Sequence, residues 1–131
     1  MIEKITVDSS VIITSIISSE KKHKDALLVI ESILSGGSKA ILPYSVLVEV
    51  VVAVKRRTAS EATANEIKDK LLNSVNITFV ELTKERAEKA CHVASQFNLR
   101  GMDAIVVQVS KEFNTQLITF DKEMLSRISV K

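Results

Sequence analysis

The spacing of apolar residues along the chain predicts short strands that alternate with helices. Ile2 to Val7 alternates apolar and polar positions before the chain becomes continuously apolar, as in a strand that enters a core. Three further apolar segments bounded by turn residues are predicted as strands: KAILPY, NITFVEL and TQLITF, the last of them buried. Helical spacing predicts helices over Ser9–Ser18, Lys24–Leu34, Ser45–Arg57, Ser60–Leu72, Thr83–Phe97 and Met102–Phe113, then a short helix and a last strand at the C-terminus.

This alternation predicts the α/β class. Strands that alternate with helices form a parallel sheet with helices on both faces. Ser45–Arg57 is assigned to a helix despite its valines, because it is long for a strand and its terminal KRR suits a helix C-terminus. The chain has 131 residues with no internal repeat or linker, so we expect a single domain over 1–131.

Composition points to a globular cytoplasmic protein. Charged residues make up 26% of the chain, and the single cysteine, Cys91, cannot form an internal disulfide. The N-terminal MIEKITVDSS has no basic segment followed by an apolar one, so we expect no signal peptide. The longest nearly apolar run, VLVEVVVAV, contains a charge and is far shorter than the roughly 20 residues that span a bilayer. We therefore expect no membrane association.

Four of the 16 acidic residues lie in strongly apolar surroundings. Asp8 lies in ITVDSSVII, Glu49 in LVEVVV, Asp103 in GMDAIVV and Asp121 in LITFD. A charge removed from water is costly unless it is paired or binds a ligand. Glu31 differs, because it shares a polar helix face with Lys24 and serines.

Each of these four acids also has a purely structural interpretation. Asp8 and Asp121 could cap the helices that follow them, and Asp103 would favour the dipole in the first turn of its helix. Glu49 could lie on a solvent-exposed stripe with Ser45 and Arg56.

The placement of the acids favours a shared site. Asp8 and Asp121 directly follow predicted strands, and ligands of open parallel sheets bind at the carboxyl ends of the strands. Clustered carboxylates repel one another unless a cation neutralises them, and such oxygen ligands suit Mg²⁺ or Mn²⁺. The hydroxyls of Ser10 and Thr119 could fix carboxylate rotamers, or could belong to an ordinary turn and strand. Without the four acids, the 18 basic residues outnumber the remaining acids, which would suit a polyanionic partner.

These residues resemble the motifs of the PIN domain family, in particular its VapC-like toxins. The matching segments are VDSSVII, the glutamate of VLVEVVVAV, MDAIVV and LITFDKEML, in the family's order and spacing over essentially the whole chain. The resemblance implies a three-layer α/β/α sandwich with a short parallel sheet and a metal-dependent endoribonuclease specific for single-stranded RNA. It implies a site formed by Asp8, Glu49, Asp103, Asp121, Ser10 and Thr119, in which the four acids bind the metal.

The resemblance to the toxin subgroup also implies partners. A toxin would bind a small antitoxin protein, and the valine-rich helix could serve that contact or a homodimer. Arg100 is the preferred candidate for an RNA phosphate contact, whereas His23 and His92 match no catalytic motif. Two alternatives stay open: a PIN-domain nuclease of RNA processing outside a toxin–antitoxin pair, and a catalytically silent PIN-like interaction module.

Overall fold

The computed structural model describes residues 2–129 and contains four strands and seven helices in that part of the chain. The strands are β1 (Glu3–Val7), β2 (Ser38–Pro43), β3 (Ile77–Val80) and β4 (Gln116–Ile118). The helices are α1 (Ser9–Ile16), α2 (His23–Ser35), α3 (Tyr44–Thr58), α4 (Glu61–Asn73), α5 (Lys84–Phe97), α6 (Gly101–Phe113) and α7 (Lys122–Ser129). Among residues 2–129, none of these helices combines the length and apolarity needed to cross a membrane.

The four strands form one parallel sheet in the order β3-β2-β1-β4. The chain proceeds outward from β1 to β2 and β3, and then returns to place β4 on the other side of β1. The strand order therefore reverses at β1. In open α/β sheets, ligands bind beside the carboxyl ends of the strands where the strand order reverses. Val7 pairs with Ile118, so the residues after β1 and β4 emerge side by side.

Helices cover both faces of the sheet, which confirms the α/β class and the three-layer arrangement. Ile5, Thr6 and Val7 are consecutive in β1 and all are buried, although successive strand residues point to opposite faces. Helix α6 packs against β1, β2 and β4, and α5 packs against α6. Helix α2 packs against β2, and α1 packs against both α2 and α3.

The valine-rich segment is a helix, as its length and basic end predicted. Val46, Val50 and Val54 recur every four residues in α3 and are fully buried, so they form the core-facing stripe of the helix. Lys55, Arg56 and Arg57 occupy its last turn, where positive charge stabilises the carbonyl end.

The strand predicted over TQLITF is shorter and less buried than expected. β4 covers only Gln116–Ile118, and its residues are exposed or half-buried because β4 is an edge strand. Two threonine hydroxyls meet beside its start: the Oγ1 of buried Thr6 donates to the Ile41 carbonyl at 2.8 Å and lies 2.6 Å from the Oγ1 of half-buried Thr115. The chain is helical up to Ser129, and the rest of the predicted final strand lies outside the described residues.

Candidate active site

Asp8 follows β1, where the strand order of the sheet reverses, and three hydrogen-bond donors hold its carboxylate. Its Oδ1 accepts hydrogen bonds from the Ser10 backbone N–H at 2.7 Å and from the Ser10 hydroxyl at 2.5 Å. Its Oδ2 accepts a hydrogen bond from the Thr119 hydroxyl at 2.5 Å. The residue is only 6% exposed, so burial and these bonds restrict the carboxylate to one orientation.

Ser10 and Thr119 also connect the two segments that follow β1 and β4. The Ser10 Oγ accepts a hydrogen bond from the Phe120 backbone N–H at 3.2 Å, and the Thr119 Oγ1 accepts one from the Asp121 backbone N–H at 3.0 Å. Each hydroxyl therefore donates to Asp8 and accepts from the segment after β4. These hydrogen bonds through the two hydroxyls set the position of Asp121 relative to Asp8.

Asp121 is the N-terminal cap of α7. Its Oδ1 accepts hydrogen bonds from the backbone N–H groups of Glu123 and Met124, at 3.0 and 3.1 Å. Asp8 likewise caps α1 through the Ser10 N–H. Each aspartate can therefore cap a helix and also belong to a site, because capping fixes its carboxylate at the edge of the same cavity.

All four predicted acids line one cavity of about 510 Å³, which we call the acidic cavity. Glu49 reaches it from the middle of α3, and Asp103 from the first turn of α6. Both are half-buried, so Glu49 is not part of a solvent-exposed stripe. The remaining lining residues are Ser9, Ser10, Arg100, Gly101, Met102 and Ile105. Thr119 is buried and reaches the site through Asp8.

Burial and mutual repulsion disfavour the charged form of two of these acids. Burial raises the pKa of Glu49; the Ser9 hydroxyl works in the opposite direction, and the charges of Asp103 and Asp8 add to the increase. Burial also raises the pKa of Asp103, as do the charges of Asp121 and Asp8, whereas Arg100 lowers it. The acids are therefore close enough to repel one another, as expected of carboxylates that share a site.

The donor set of the acidic cavity suits a hard divalent cation. It offers carboxylate and hydroxyl oxygens, with carboxylates whose repulsion a cation would relieve. Within residues 2–129, no three His, Cys, Asp or Glu side chains form a ready-made metal cage. Mg²⁺ does not require one, because it keeps several waters and is held by one or two carboxylates.

Two residues beside this cavity were not identified from the sequence. Glu123 in α7 adds to the repulsion that raises the pKa of Asp103, and it lies 3.4 Å from Arg100 Nη2 and 3.5 Å from Arg127 Nη2. In the sequence both Glu123 and Arg127 have the pattern of an exposed helical ion pair, spaced four apart. Only the position of α7 against the start of α6 brings them to the site.

The basic end of α3 and the two histidines do not line the acidic cavity. Lys55 pairs with Glu61 and Arg57 with Glu20, both at the surface. His23 has a structural contact, with Nδ1 2.8 Å from the Thr14 carbonyl. His92 lines another cavity, of about 790 Å³, formed by residues of α5 and α6 and by none of the four predicted acids.

Comparisons with known proteins agree with this architecture. A family model described as PIN domain matches residues 5–131, whereas no curated protein matches the chain. The solved structure of VapC20 from Mycobacterium tuberculosis, a toxin that cleaves the sarcin–ricin loop, is 18% identical with a TM-score of 0.77, and the match covers 93% of each chain.

Two further solved structures share the fold. A toxin–antitoxin complex from Klebsiella pneumoniae is 16% identical with a TM-score of 0.67, covering 93% of this chain and 90% of the other. VapBC2 from Rickettsia felis, bound to a DNA fragment from its promoter, is 11% identical with a TM-score of 0.67, covering 95% and 92%.

Proposed function

The chain belongs to the PIN domain family, and we propose that it is an Mg²⁺- or Mn²⁺-dependent endoribonuclease that cleaves single-stranded RNA. The observation that carries the proposal is the acidic cavity. Four carboxylates from separate elements line it, at the edge of the sheet where the strand order reverses. Acids gathered at such a position cost stability, which a structural role alone does not explain.

Three carboxylates are suited to hold the cation, either directly or through its bound waters. Asp8 is the most rigid, because both of its oxygens accept hydrogen bonds. Asp121 uses only Oδ1 to cap α7, and Asp103 is fixed by the first turn of α6, so these two complete the set. A divalent cation bound there supplies Lewis acidity: it lowers the pKa of a water and stabilises the charge on the leaving oxygen.

Glu49 is suited to orient the attacking water. It approaches the cavity from α3, on a different element from the three aspartates, and burial raises its pKa. A carboxylate with a raised pKa takes a proton from water more readily than an ordinary one. Ser10 and Thr119 are positioning residues, since they keep the Asp8 carboxylate in place.

The toxin role is the more specific part of the proposal. It is supported by the solved neighbours, which include a toxin that cleaves the sarcin–ricin loop and two toxin–antitoxin assemblies. We therefore propose a small antitoxin protein as partner. The neighbouring gene is the simplest test: an adjacent short reading frame for a DNA-binding protein is expected, and its absence would favour RNA processing instead.

A cleavage assay tests the nuclease activity. Purified protein is incubated with single-stranded RNA in Mg²⁺ or Mn²⁺, and in EDTA. We expect cleavage only with the metal, and a loss of at least about 100-fold for Asp8→Asn or Asp121→Asn. Glu31→Gln is the matched control, because Glu31 is exposed on α2, and it should keep full activity. Undiminished cleavage in EDTA would rule out the metal mechanism.

A further inference from the structure

A second cavity of about 230 Å³ adjoins the acidic cavity and contains two guanidinium groups. Arg100 and Asp103 line both cavities, so the two spaces are direct neighbours. We call this space the arginine cavity; its lining residues are Asn98, Leu99, Arg100, Asp103, Glu123, Met124 and Arg127. The volume exceeds that of several waters, each of which occupies about 30 Å³ in the liquid, so a phosphate group can enter.

The two arginines are held differently. Arg127 is anchored, because its Nη1 donates to the Asn98 carbonyl at 2.9 Å and its Nη2 lies 3.5 Å from Glu123 Oε2. Arg100 is less enclosed, with a side chain that is 80% exposed and a contact of 3.4 Å to Glu123 Oε1. Glu123 therefore lies between two guanidinium groups and aligns them on one side of the cavity.

The charge and donors of this cavity suit an anion. Asp103 belongs to the proposed cation site, which leaves two positive charges against the single charge of Glu123. Each guanidinium has five N–H donors, and the contacts above use only a minority of them. The planar fork of arginine matches two oxygens of a phosphate.

We propose that the arginine cavity binds the RNA phosphate next to the one that is cleaved. The proposal rests on the nuclease function and extends it, since it assigns Arg127 as a substrate-binding residue and gives the RNA a direction across the protein. The strand would pass from the acidic cavity, past Arg100, towards α7.

Substrates of different length test this assignment. A dinucleoside monophosphate has only the phosphate that is cleaved, whereas a longer RNA also places a phosphate in the arginine cavity. Arg127→Gln should lower kcat/KM on a uridine decamer by about tenfold, the usual effect of losing a charged hydrogen bond. On the dinucleoside monophosphate it should change kcat/KM by less than about twofold.

Three companion variants separate binding from folding. Arg127→Lys keeps the charge but loses the fork, so its loss on the decamer should be smaller. Glu123→Gln releases both arginines from their internal partner, so decamer binding, measured by fluorescence anisotropy in EDTA, should become tighter. Arg86→Gln, which breaks the Arg86–Glu112 pair at the other end of α5 and α6, is the control and should behave as wild type. Thermal melting of each variant verifies that it is folded.

The outcomes distinguish this proposal from the proposed function. If wild type cleaves both substrates and folded Arg127→Gln loses as much on the dinucleoside monophosphate as on the decamer, or nothing on either, the subsite is wrong and the nuclease stands. Weaker binding by Glu123→Gln would also overturn it, because the arginines would then serve the structure alone. If wild type neither binds nor cleaves RNA, both proposals fail.

Discussion

At the scale of single residues, the chemistry depends on how firmly Asp8 is held. Thr119 is 6% exposed and its hydroxyl both donates to Asp8 and accepts from the Asp121 N–H. We expect Thr119→Val to lower cleavage by about 10–100-fold, the usual effect of losing a residue that orients a metal ligand. Thr119→Ser keeps the hydroxyl and should keep most of the activity. Equal activity in the Val variant and wild type would show that Asp8 needs no such support.

The raised pKa values of Glu49 and Asp103 predict a cost in stability. Burial and neighbouring carboxylates make the folded protein hold these protons more tightly than the unfolded chain does. Stability is therefore lost as the pH rises from the unfolded pKa through the raised folded pKa, and the full cost is present above it. Near neutral pH the metal-free protein thus carries uncompensated repulsion.

Neutral variants should remove this cost. We expect Glu49→Gln and Asp103→Asn to raise the melting temperature in EDTA at pH 7 by about 2 °C, and the difference to vanish as the pH approaches about 4. Differential scanning calorimetry over this range measures it. Glu31→Gln, on the exposed face of α2, should show no such rise. A lower melting temperature for both site variants at pH 7 would contradict the repulsion.

At the scale of elements, α3 positions Glu49, and its end has a strained residue. Ala59 follows the helix with φ of 55°, in the left-handed region, where a residue with a Cβ costs roughly 1–2 kcal/mol. Glycine avoids this cost, although it loses more chain entropy on folding. We expect Ala59→Gly to increase the free energy of unfolding by about 0.5 kcal/mol, measured in urea.

The same substitution inside the helix should act in the opposite direction. Ala53→Gly lies in the interior of α3 and should reduce the free energy of unfolding by about 1 kcal/mol. Opposite signs for the two variants would show that backbone conformation at Ala59 causes the difference. Destabilisation by both would contradict it.

The elements were predictable where local chemistry sets their limits. Ser60 and Thr83 cap α4 and α5 where the sequence placed the helix starts, and Gly36 ends α2 in the left-handed conformation. The length of the strand in TQLITF was not predictable, because all six residues have strand character and only the edge position limits β4 to three residues.

The acids of the site were recognisable in the sequence because Asp8 and Glu49 interrupt apolar runs. Glu123 and Arg127 do not interrupt an apolar run, so the sequence carries no signal for them. Only the tertiary structure brings them to the site.

At the scale of the whole molecule, α3 presents an exposed apolar stripe that predicts self-association. Tyr44, Val48 and Val52 are 44%, 58% and 43% exposed and lie four residues apart. We expect a homodimer by gel filtration with light scattering, and a shift towards monomer for Val52→Glu because it would place a charge in the contact. Leu28→Glu, an exposed apolar position on α2, is the control. A wild-type monomer at every concentration would contradict the prediction.

The proposed nuclease requires that the acidic cavity bind a divalent cation, and calorimetric titration with Mn²⁺ measures this directly. We predict saturable binding to metal-free wild type, with proton release that decreases as the pH rises because Glu49 and Asp103 must ionise. Asp8→Asn and Asp103→Asn should weaken binding by at least about tenfold, whereas Glu31→Gln should bind as wild type. Absence of binding, or equal binding by wild type and both aspartate variants, would contradict the account.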